Sequence, residues 1–136
     1  MIRFELNKKE DCFYIREKVF VEEQGFHNEF DEIDDICTHI SLYLNDQVVG
    51  CARVFEENGK CIVGRIAVLK EYRGKQLGSK ILKYVHMYAK ENDYKETHLH
   101  AQCRACKFYE SLGYMSYGPI EYDEHVEHIW MKKAIV

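Results

Sequence analysis

A glycine-marked basic turn is the first stretch of the sequence whose residues could do chemistry. The segment "VLKEYRGKQLGSKILKYV" predicts the end of a strand, a turn and then an amphipathic helix. Five basic residues fall within fourteen positions there, opposed only by Glu71: they are Lys70, Arg73, Lys75, Lys80 and Lys83. Free backbone N–H groups and the helix dipole favour an anion at such a helix start. The turn therefore predicts either a phosphate-binding loop or a solvated basic helix face.

The glycine pattern of this turn narrows the choice of phosphate-binding loops. Gly74 and Gly78 let a ligand approach the backbone closely, but Gln76 stands where a third glycine would be expected. No G-x-x-x-x-G-K-[ST] sequence occurs, and no dinucleotide-binding G-x-G-x-x-G follows a strand. A P-loop and a Rossmann site are both excluded.

Two further groups of residues could bind a ligand. "HLHAQCRAC" contains side chains that bind zinc in other proteins, or a redox-active C-x-x-C: His98, His100, Cys103 and Cys106. The two histidines are predicted on a strand and the two cysteines at a helix start, which makes a shared metal a minor alternative. The segment from Glu29 to Asp35 holds five carboxylates in seven residues and predicts a solvated acidic loop or a rim that attracts a cationic amine.

The composition predicts a folded protein that could position such groups. The 136 residues are 46% apolar with one proline, so we expect one globular domain over residues 1–136. The net charge of −4 argues against a dedicated nucleic-acid binder. No apolar run is long enough for a membrane span and "MIRFELNKKED" does not resemble a signal peptide, so we expect a cytoplasmic protein with its six cysteines reduced.

The elements follow from residue periodicity. A capping box at Asn7 and Glu10 predicts a first helix from about Lys8 to Glu23. "CTHISLYL" and "QVVGCARVF" predict a hairpin, and "CIVGRIAVL" predicts a central strand. A short helix, "RACKFYESL", is followed by two strands joined by a turn at Gly118-Pro119. The order β-α-β-β-β-α-β-α-β-β predicts an α+β, or mixed α/β, domain with helices packed on one sheet.

Two segments together resemble one family. "VGRIAVLKEYRGKQLGSKIL" followed by "AQCRACKFYESLGY" is similar to the GNAT superfamily of acyl-CoA-dependent N-acetyltransferases. Arg73 and Gly78 match the family's [RQ]-x-x-G-x-[GA] signature except for Gln76, and the second signature is matched throughout. "VFVEEQGF" and "HVEHIWMKK" further resemble the ElaA-like and YjcF-like branch. The resemblance implies a GNAT-like acyl-CoA N-acyltransferase fold, with a mixed, mostly antiparallel central sheet flanked by helices.

The resemblance also implies a donor and a place for it. Acetyl-CoA would lie between the two central parallel strands, with no metal required. The residues implied to contact it through backbone or side chain are Ile66, Ala67, Val68, Arg73, Gly74, Lys75, Gln76, Leu77, Gly78, Ser79, Gln102 and Phe108. The loop residues among these would wrap the pyrophosphate with backbone N–H groups, which requires position 76, where glutamine replaces the expected glycine, to accept a non-glycine backbone conformation.

The implied reaction is attack of a neutral amine on the thioester, helped by a base and an acid. Tyr109 matches the family tyrosine that meets the CoA sulfur and is the candidate acid; a core aromatic is the alternative. His128 is the first candidate base, with a hydrogen-bonded strand histidine as the alternative. Competing bases are Glu23, Glu29 and Asp34. The branch resemblance adds Gln24, His39 and Arg53 to the acceptor site.

The acceptor stays open at this point. Polyamines, amino sugars, aminoacyl compounds and protein amines all fit an amine acetyltransferase. The expected partners are acetyl-CoA and an amine, without nucleic acid or membrane, and a homodimer is left open. A GNAT fold that binds acyl-CoA as a sensor, without transfer, is the main alternative function.

Overall fold

Seven strands form one sheet in the order β1-β2-β3-β4-β5-β7-β6 in the computed structural model, which describes all residues from 1 to 136. The strands are β1 (Ile2–Leu6), β2 (Thr38–Leu44), β3 (Gln47–Glu57), β4 (Lys60–Val68), β5 (Glu96–Gln102), β6 (Met115–Asp123) and β7 (Val126–Ala134). The α-helices are α1 (Lys9–Arg16), α2 (Leu77–Glu91) and α3 (Cys106–Ser111). All neighbouring strands are antiparallel except β4 and β5, which are parallel. The predicted element order and the α+β fold class are confirmed.

The first helix begins and continues differently from its prediction. The capping box predicted at its start is wrong, because Asn7 has a left-handed backbone (φ 61°) and its side chain accepts from the backbone N–H of His39 instead. A capping box forms later, where Asp31 caps the 3₁₀ turn Glu32–Asp35. After Arg16 the helix continues as a π-helical segment, Glu17–Glu23. π-Helical turns often occur at functional sites, and this one leads to Gln24.

The helix α2 packs its apolar stripe on one face of the sheet. Its buried residues are Leu77, Ile81, Leu82, Val85 and Ala89, at the spacing predicted from the sequence. Gly50 on β3 allows this close approach, since a Cβ there would lie 2.9 Å from Ile81 Cδ1. The core between α2, α3 and the sheet therefore holds the central strands rigidly from one side.

The last hairpin turns later than predicted. Gly118 and Pro119 lie within β6, where the pairing with β7 shifts register between Tyr117 and Glu121. The chain reverses after Asp123 instead. A proline is tolerated here because β6 is the edge strand and the register shift removes the ladder hydrogen bond that proline could not make. The prediction of a turn at Gly118-Pro119 is therefore wrong, and these two residues form a bulge within β6.

The two parallel strands separate halfway along their length. β4 and β5 pair only from Cys61 to Val63, opposite Thr97 to Leu99. Beyond that point Arg65 adopts a left-handed backbone (φ 49°), and the pairing of β4 with β3 shifts register. This bulge turns β4 away from β5. A V-shaped opening results between the carboxyl ends of the two strands. None of the helices combines the length and the apolar character that crossing a membrane requires.

Candidate functional site

The V-shaped opening leads into a cavity of about 490 Å³, within the range of small-ligand sites. One end, here called the loop end, is lined by Ile66, Ala67, Val68, Arg73, Gln102 and Arg104. The other, here called the aromatic end, is lined by Phe26, Phe55, His100, His128 and Trp130. Tyr109 lines the same cavity. The splayed strands thus join the two regions that the sequence assigned to the donor and the acceptor.

The loop before α2 presents a run of unbonded donors. Each backbone N–H from Gly74 to Ser79 lacks a hydrogen-bond acceptor within the protein, and the first helical bond runs from Lys80 N–H to Gln76 C=O. Gly74 and Gln76 both have left-handed backbones, with φ of 80° and 60°. Alternating left-handed residues turn successive N–H groups toward one side and form an anion-binding concavity. The loop therefore has the donor pattern of a phosphate cradle.

Arg73 is held by an ion pair rather than free. Its guanidinium donates to Glu23 with Nη1–Oε2 and Nη2–Oε1 distances of 2.7 and 2.8 Å, and its Nε donates to the Val68 carbonyl at 3.0 Å. The hydrogen bond from Arg73 holds the pKa of Glu23 below its usual range, so Glu23 is ionised and paired. This contact makes Glu23 a partner of the basic loop, and Glu23 does not line the cavity.

A second contact crosses the opening beside the first. Gln102 Nε2 at the end of β5 donates to Gln24 Oε1 at 2.8 Å. His125 Nε2 in the β6–β7 turn donates to the Gln24 carbonyl, also at 2.8 Å. Because Glu23 is tied to the basic loop and Gln24 to β5, the end of the first helix bridges both arms of the V.

Tyr109 on α3 is a buried residue of the cavity lining. It is 9% exposed, and its hydroxyl has no hydrogen-bond partner in the protein. Burial, and secondarily Cys106, raises the pKa of Tyr109 to about 12. The hydroxyl is therefore protonated at neutral pH and can donate. The adjacent Phe108 lies outside the cavity lining and packs on Gly78, where a Cβ would come within 3.2 Å of its ring.

His128 is buried at the aromatic end with one ring nitrogen assigned. Its Nδ1 lies 3.0 Å from the Val126 carbonyl oxygen, and since a carbonyl only accepts, Nδ1 carries the proton. Nε2 is left with a lone pair. The His100 ring lies 5.0 Å from that of His128, and burial lowers the pKa of His100, with His128 adding to the effect. Burial therefore favours the neutral form of His100 beside the His128 ring.

Buried ion pairs connect the acidic segment to α1 and β3. Arg16 donates to Glu29 at 3.0 Å and to Asp34 at 2.6 Å, and all three side chains are less than 5% exposed. Arg53 donates to Asp31 at 2.8 Å and to Asp34 at 3.0 Å. The acidic segment is therefore not a solvated rim, and arginines neutralise its inward-facing carboxylates.

The arginines of these ion pairs shift the pKa of the buried carboxyl groups in the acidic segment. Burial opposes ionisation of Asp34, but hydrogen bonds from Arg16 and Arg53 outweigh it and hold the pKa of Asp34 far below its usual range. Burial raises the pKa of Glu29, although Arg65 and Arg16 oppose the rise. Arg65 Nε lies 2.8 Å from Glu29 Oε2, so the bulge of β4 is tied to the same cluster.

The cavity gathers some of the candidate acceptor residues and leaves others out. Gln24, Glu29 and Arg53 line it, whereas Asp34 and His39 do not. Asp34 is a structural ion-pair partner. His39 Nε2 donates to the Asp34 carbonyl at 3.0 Å, which places its ring behind the cluster. A base role for Asp34 and an acceptor role for His39 do not fit this geometry.

The proposed zinc ligands are not assembled. His98 is bonded to Tyr117 at 2.7 Å, while His100 faces Glu121 at 3.1 Å. The only metal-type cluster of three side chains in the structure comprises Asp34, Cys37 and His39. Two arginines already bind the Asp34 carboxylate there and would repel a cation. Neither group has the arrangement of a metal site.

Several residues of the cavity were not predicted as site residues, among them Gly64, Arg65, His100 and Trp130. Pairing of β5 with β7 sets His100 directly opposite Trp130. His100 was considered only as a metal ligand, although its alternation with Gln102 on one strand signalled a shared face. The left-handed backbone of Arg65 carries no such signal, because arginine rarely adopts it.

Comparisons with known proteins give one consistent result. The acetyltransferase (GNAT) domain family matches residues 9–135. A Bacillus subtilis protein named as an acetyltransferase is 38% identical over 127 residues, which cover 90% of this chain and 86% of that protein. The Bacillus subtilis N-acetyltransferase YjcF is 34% identical over 126 residues, 90% of each chain.

Solved structures agree in fold. An N-acetyltransferase structure from Lactobacillus plantarum has a TM-score of 0.92 at 24% identity and covers 99% of both chains. Escherichia coli ElaA has a TM-score of 0.84 at 24% identity, covering 98% of this chain and 99% of that one.

Proposed function

The chain belongs to the acetyltransferase (GNAT) family, and we propose that it transfers the acetyl group of acetyl-CoA to a primary amine of a small molecule or peptide. Its family supports acyl transfer from acyl-CoA in general. The observation that carries the finer proposal is the splayed opening between β4 and β5. Tyr109 and His128 line the cavity in this opening together with Arg73, and the loop with unbonded N–H groups from Gly74 to Ser79 follows Arg73 directly, outside the cavity lining.

The loop end supplies the groups that would hold the donor. The run of N–H groups from Gly74 to Ser79 binds the pyrophosphate at the helix start. Ile66, Ala67 and Val68 lie on the part of β4 that has no partner on β5, so their backbone groups can pair with the pantetheine arm. Gln102 joins them once its bond to Gln24 is exchanged for one to the ligand. These main-chain contacts depend little on which side chains the residues carry.

Acetyl-CoA supplies an activated acyl group, and the protein supplies the proton transfers around it. His128 Nε2 takes the proton that the substrate ammonium must lose before its nitrogen can attack the thioester carbonyl, directly or through a water. Tyr109 donates its proton toward the sulfur as the thiolate leaves, because its high pKa keeps it protonated. Backbone N–H groups of the unpaired part of β4 stabilise the developing negative charge on the carbonyl oxygen.

The test is a thiol-release assay with acetyl-CoA and a panel of primary amines, combined with calorimetry of CoA binding. We expect CoA to bind and thiol to appear only when an amine is present. Binding of CoA without turnover on any amine, even after Glu23 and Gln24 are replaced to free the opening, would favour the sensor alternative. Absence of CoA binding would overturn both.

A further inference from the structure

Gly64 leaves an open recess in the floor of the aromatic end. Its backbone is outside the left-handed region, so the fold does not require glycine there. A Cβ built at this position would meet no heavy atom within 4 Å. Glycine weakens a strand interior and is found where something approaches the backbone closely. Here the approaching group is not part of the protein, and the recess faces the cavity.

The recess lies at the centre of a trough across the sheet. Gly64 pairs with Arg53 on β3, and His100 pairs with Trp130 on the far side of the opening. Phe55, two residues beyond Arg53 on the same face, lines the near wall. The trough thus has a flat floor between two aromatic side chains, a shape that fits an unbranched chain. Aromatic faces also attract cations.

The unbalanced charge along this trough is negative. Glu57, Asp123 and Glu124 line the cavity, and none of them forms an ion pair with a lysine or arginine. Glu124 accepts only backbone N–H groups of His27 and Asn28, at 2.8 to 3.1 Å. Arg53 and Arg65 are already paired within the buried cluster, and Arg104, which has no carboxylate partner, is outnumbered by these three carboxylates. A ligand that neutralises this negative charge therefore carries a positive charge.

The reacting amine loses its proton before it attacks the thioester, so only a second cationic group keeps this charge balanced through the reaction. Glu57 lies four residues along β3 from Arg53, roughly 13 Å at strand spacing, and marks the solvent-open end of the trough. We infer that the acceptor is an unbranched amine with a second cationic group, that its chain lies over Gly64, and that Gly64 sets its specificity. The inference rests on the proposed transfer activity for the identity of the site.

Trp130 provides a readout that does not depend on turnover. It is the only tryptophan of the chain and lines the trough. With CoA present, its fluorescence is titrated with straight-chain diamines from diaminobutane to diaminododecane, each against the alkylamine of equal length. We expect the best diamine to bind at least about tenfold more tightly than its matched monoamine. Glu57→Gln should lower diamine affinity toward the monoamine value and leave the monoamine unchanged.

Gly64→Ala and Gly64→Val test the recess itself. Both should fold, because the backbone accepts a side chain and the space is empty, and both should keep wild-type CoA affinity by calorimetry. Diamine affinity should fall about tenfold or more in Gly64→Val and less in Gly64→Ala. Wild-type diamine affinity in folded Gly64→Val, or equal affinities of diamine and monoamine for the native protein, would overturn the inference. Diamine binding without acetyl transfer would instead count against the proposed function alone.

Discussion

The loop beside the loop end offers main-chain groups of consecutive residues, whereas the aromatic end is lined by side chains from β3, β5 and β7 next to a cluster of buried ion pairs. The donors from Gly74 to Ser79 are local to one turn. The arginines of the buried cluster come from separate elements, Arg16 on α1, Arg53 on β3 and Arg65 on β4, and they meet Glu29 and Asp34 only in the fold. The difference teaches that a common donor can be bound through the backbone, while the acceptor depends on side chains whose positions the whole fold must fix.

The largest expected effect comes from breaking the buried cluster. Arg16→Met should lower the free energy of unfolding by about 3–5 kcal/mol, because it removes a buried cation and leaves Glu29 and Asp34 with one arginine partner each. Its matched control is Arg73→Met, which removes the more exposed pair with Glu23 and should change stability by less than about 1 kcal/mol. Side-chain exposures of 1% and 40% set the two arginines apart. Urea denaturation measures the free energy of unfolding of both variants. Equal losses of stability would contradict the expected difference between the buried cluster and the more exposed Arg73–Glu23 pair.

The second largest effect is expected for Tyr109, on the rate of acetyl transfer. Tyr109→Phe should lower kcat about 100-fold or more, since it removes the acid, while CoA affinity changes less than about twofold. Tyr117→Phe is the control, because that hydroxyl is bonded to His98 and lies outside the cavity. Steady-state kinetics and calorimetry separate turnover from binding. Unchanged turnover in Tyr109→Phe would remove this hydroxyl from the mechanism.

A smaller effect is expected for the base at the aromatic end. His128→Asn should lower kcat/KM by about tenfold and move the acidic limb of its pH profile to higher pH, because only amine already neutral in solution then reacts. His125→Asn tests the neighbouring imidazole, which is exposed and bonded to the Gln24 carbonyl. Initial rates across pH give the result. A wild-type profile in His128→Asn would assign the base elsewhere.

The smallest effect tests the main-chain character of the loop end. Gln76 holds a left-handed backbone, with φ 60°. Gln76→Gly should change CoA affinity less than about threefold and raise stability by about 1 kcal/mol, because glycine adopts this conformation without strain. Gln76→Ala keeps the strain and removes the same polar group. If both variants lose affinity strongly by calorimetry, the side chain itself takes part in binding.

The sequence predicted the loop end better than the aromatic end. The element order and the family follow from local periodicity and from two signatures, and both were confirmed. One expectation for this loop was wrong: the sequence predicted a non-glycine backbone conformation at Gln76, whereas its φ of 60° lies in the left-handed region that favours glycine. The element order and the two signatures can be predicted from the sequence, because the residues that define each of them are adjacent in it.

The aromatic end depends on contacts that no local pattern contains. The carboxylates near Asp34 look like a solvated loop in the sequence, and only the fold brings Arg16 and Arg53 to them. The bulge at Arg65 cannot be predicted from the sequence, because arginine rarely adopts the left-handed backbone that it has there. Two local predictions also failed for tertiary reasons. The Asn7 side chain bonds to β2 instead of capping a helix, and Pro119 lies in an edge strand.

The most direct test of the account measures donor and acceptor in one sample. The protein is incubated with acetyl-CoA and a primary amine, and released CoA thiol and acetylated amine are quantified together by mass spectrometry. The account predicts equal amounts of the two products, formed only when both substrates are present. Thiol release without acetylated amine, or CoA binding with neither product across the amine panel, would contradict it.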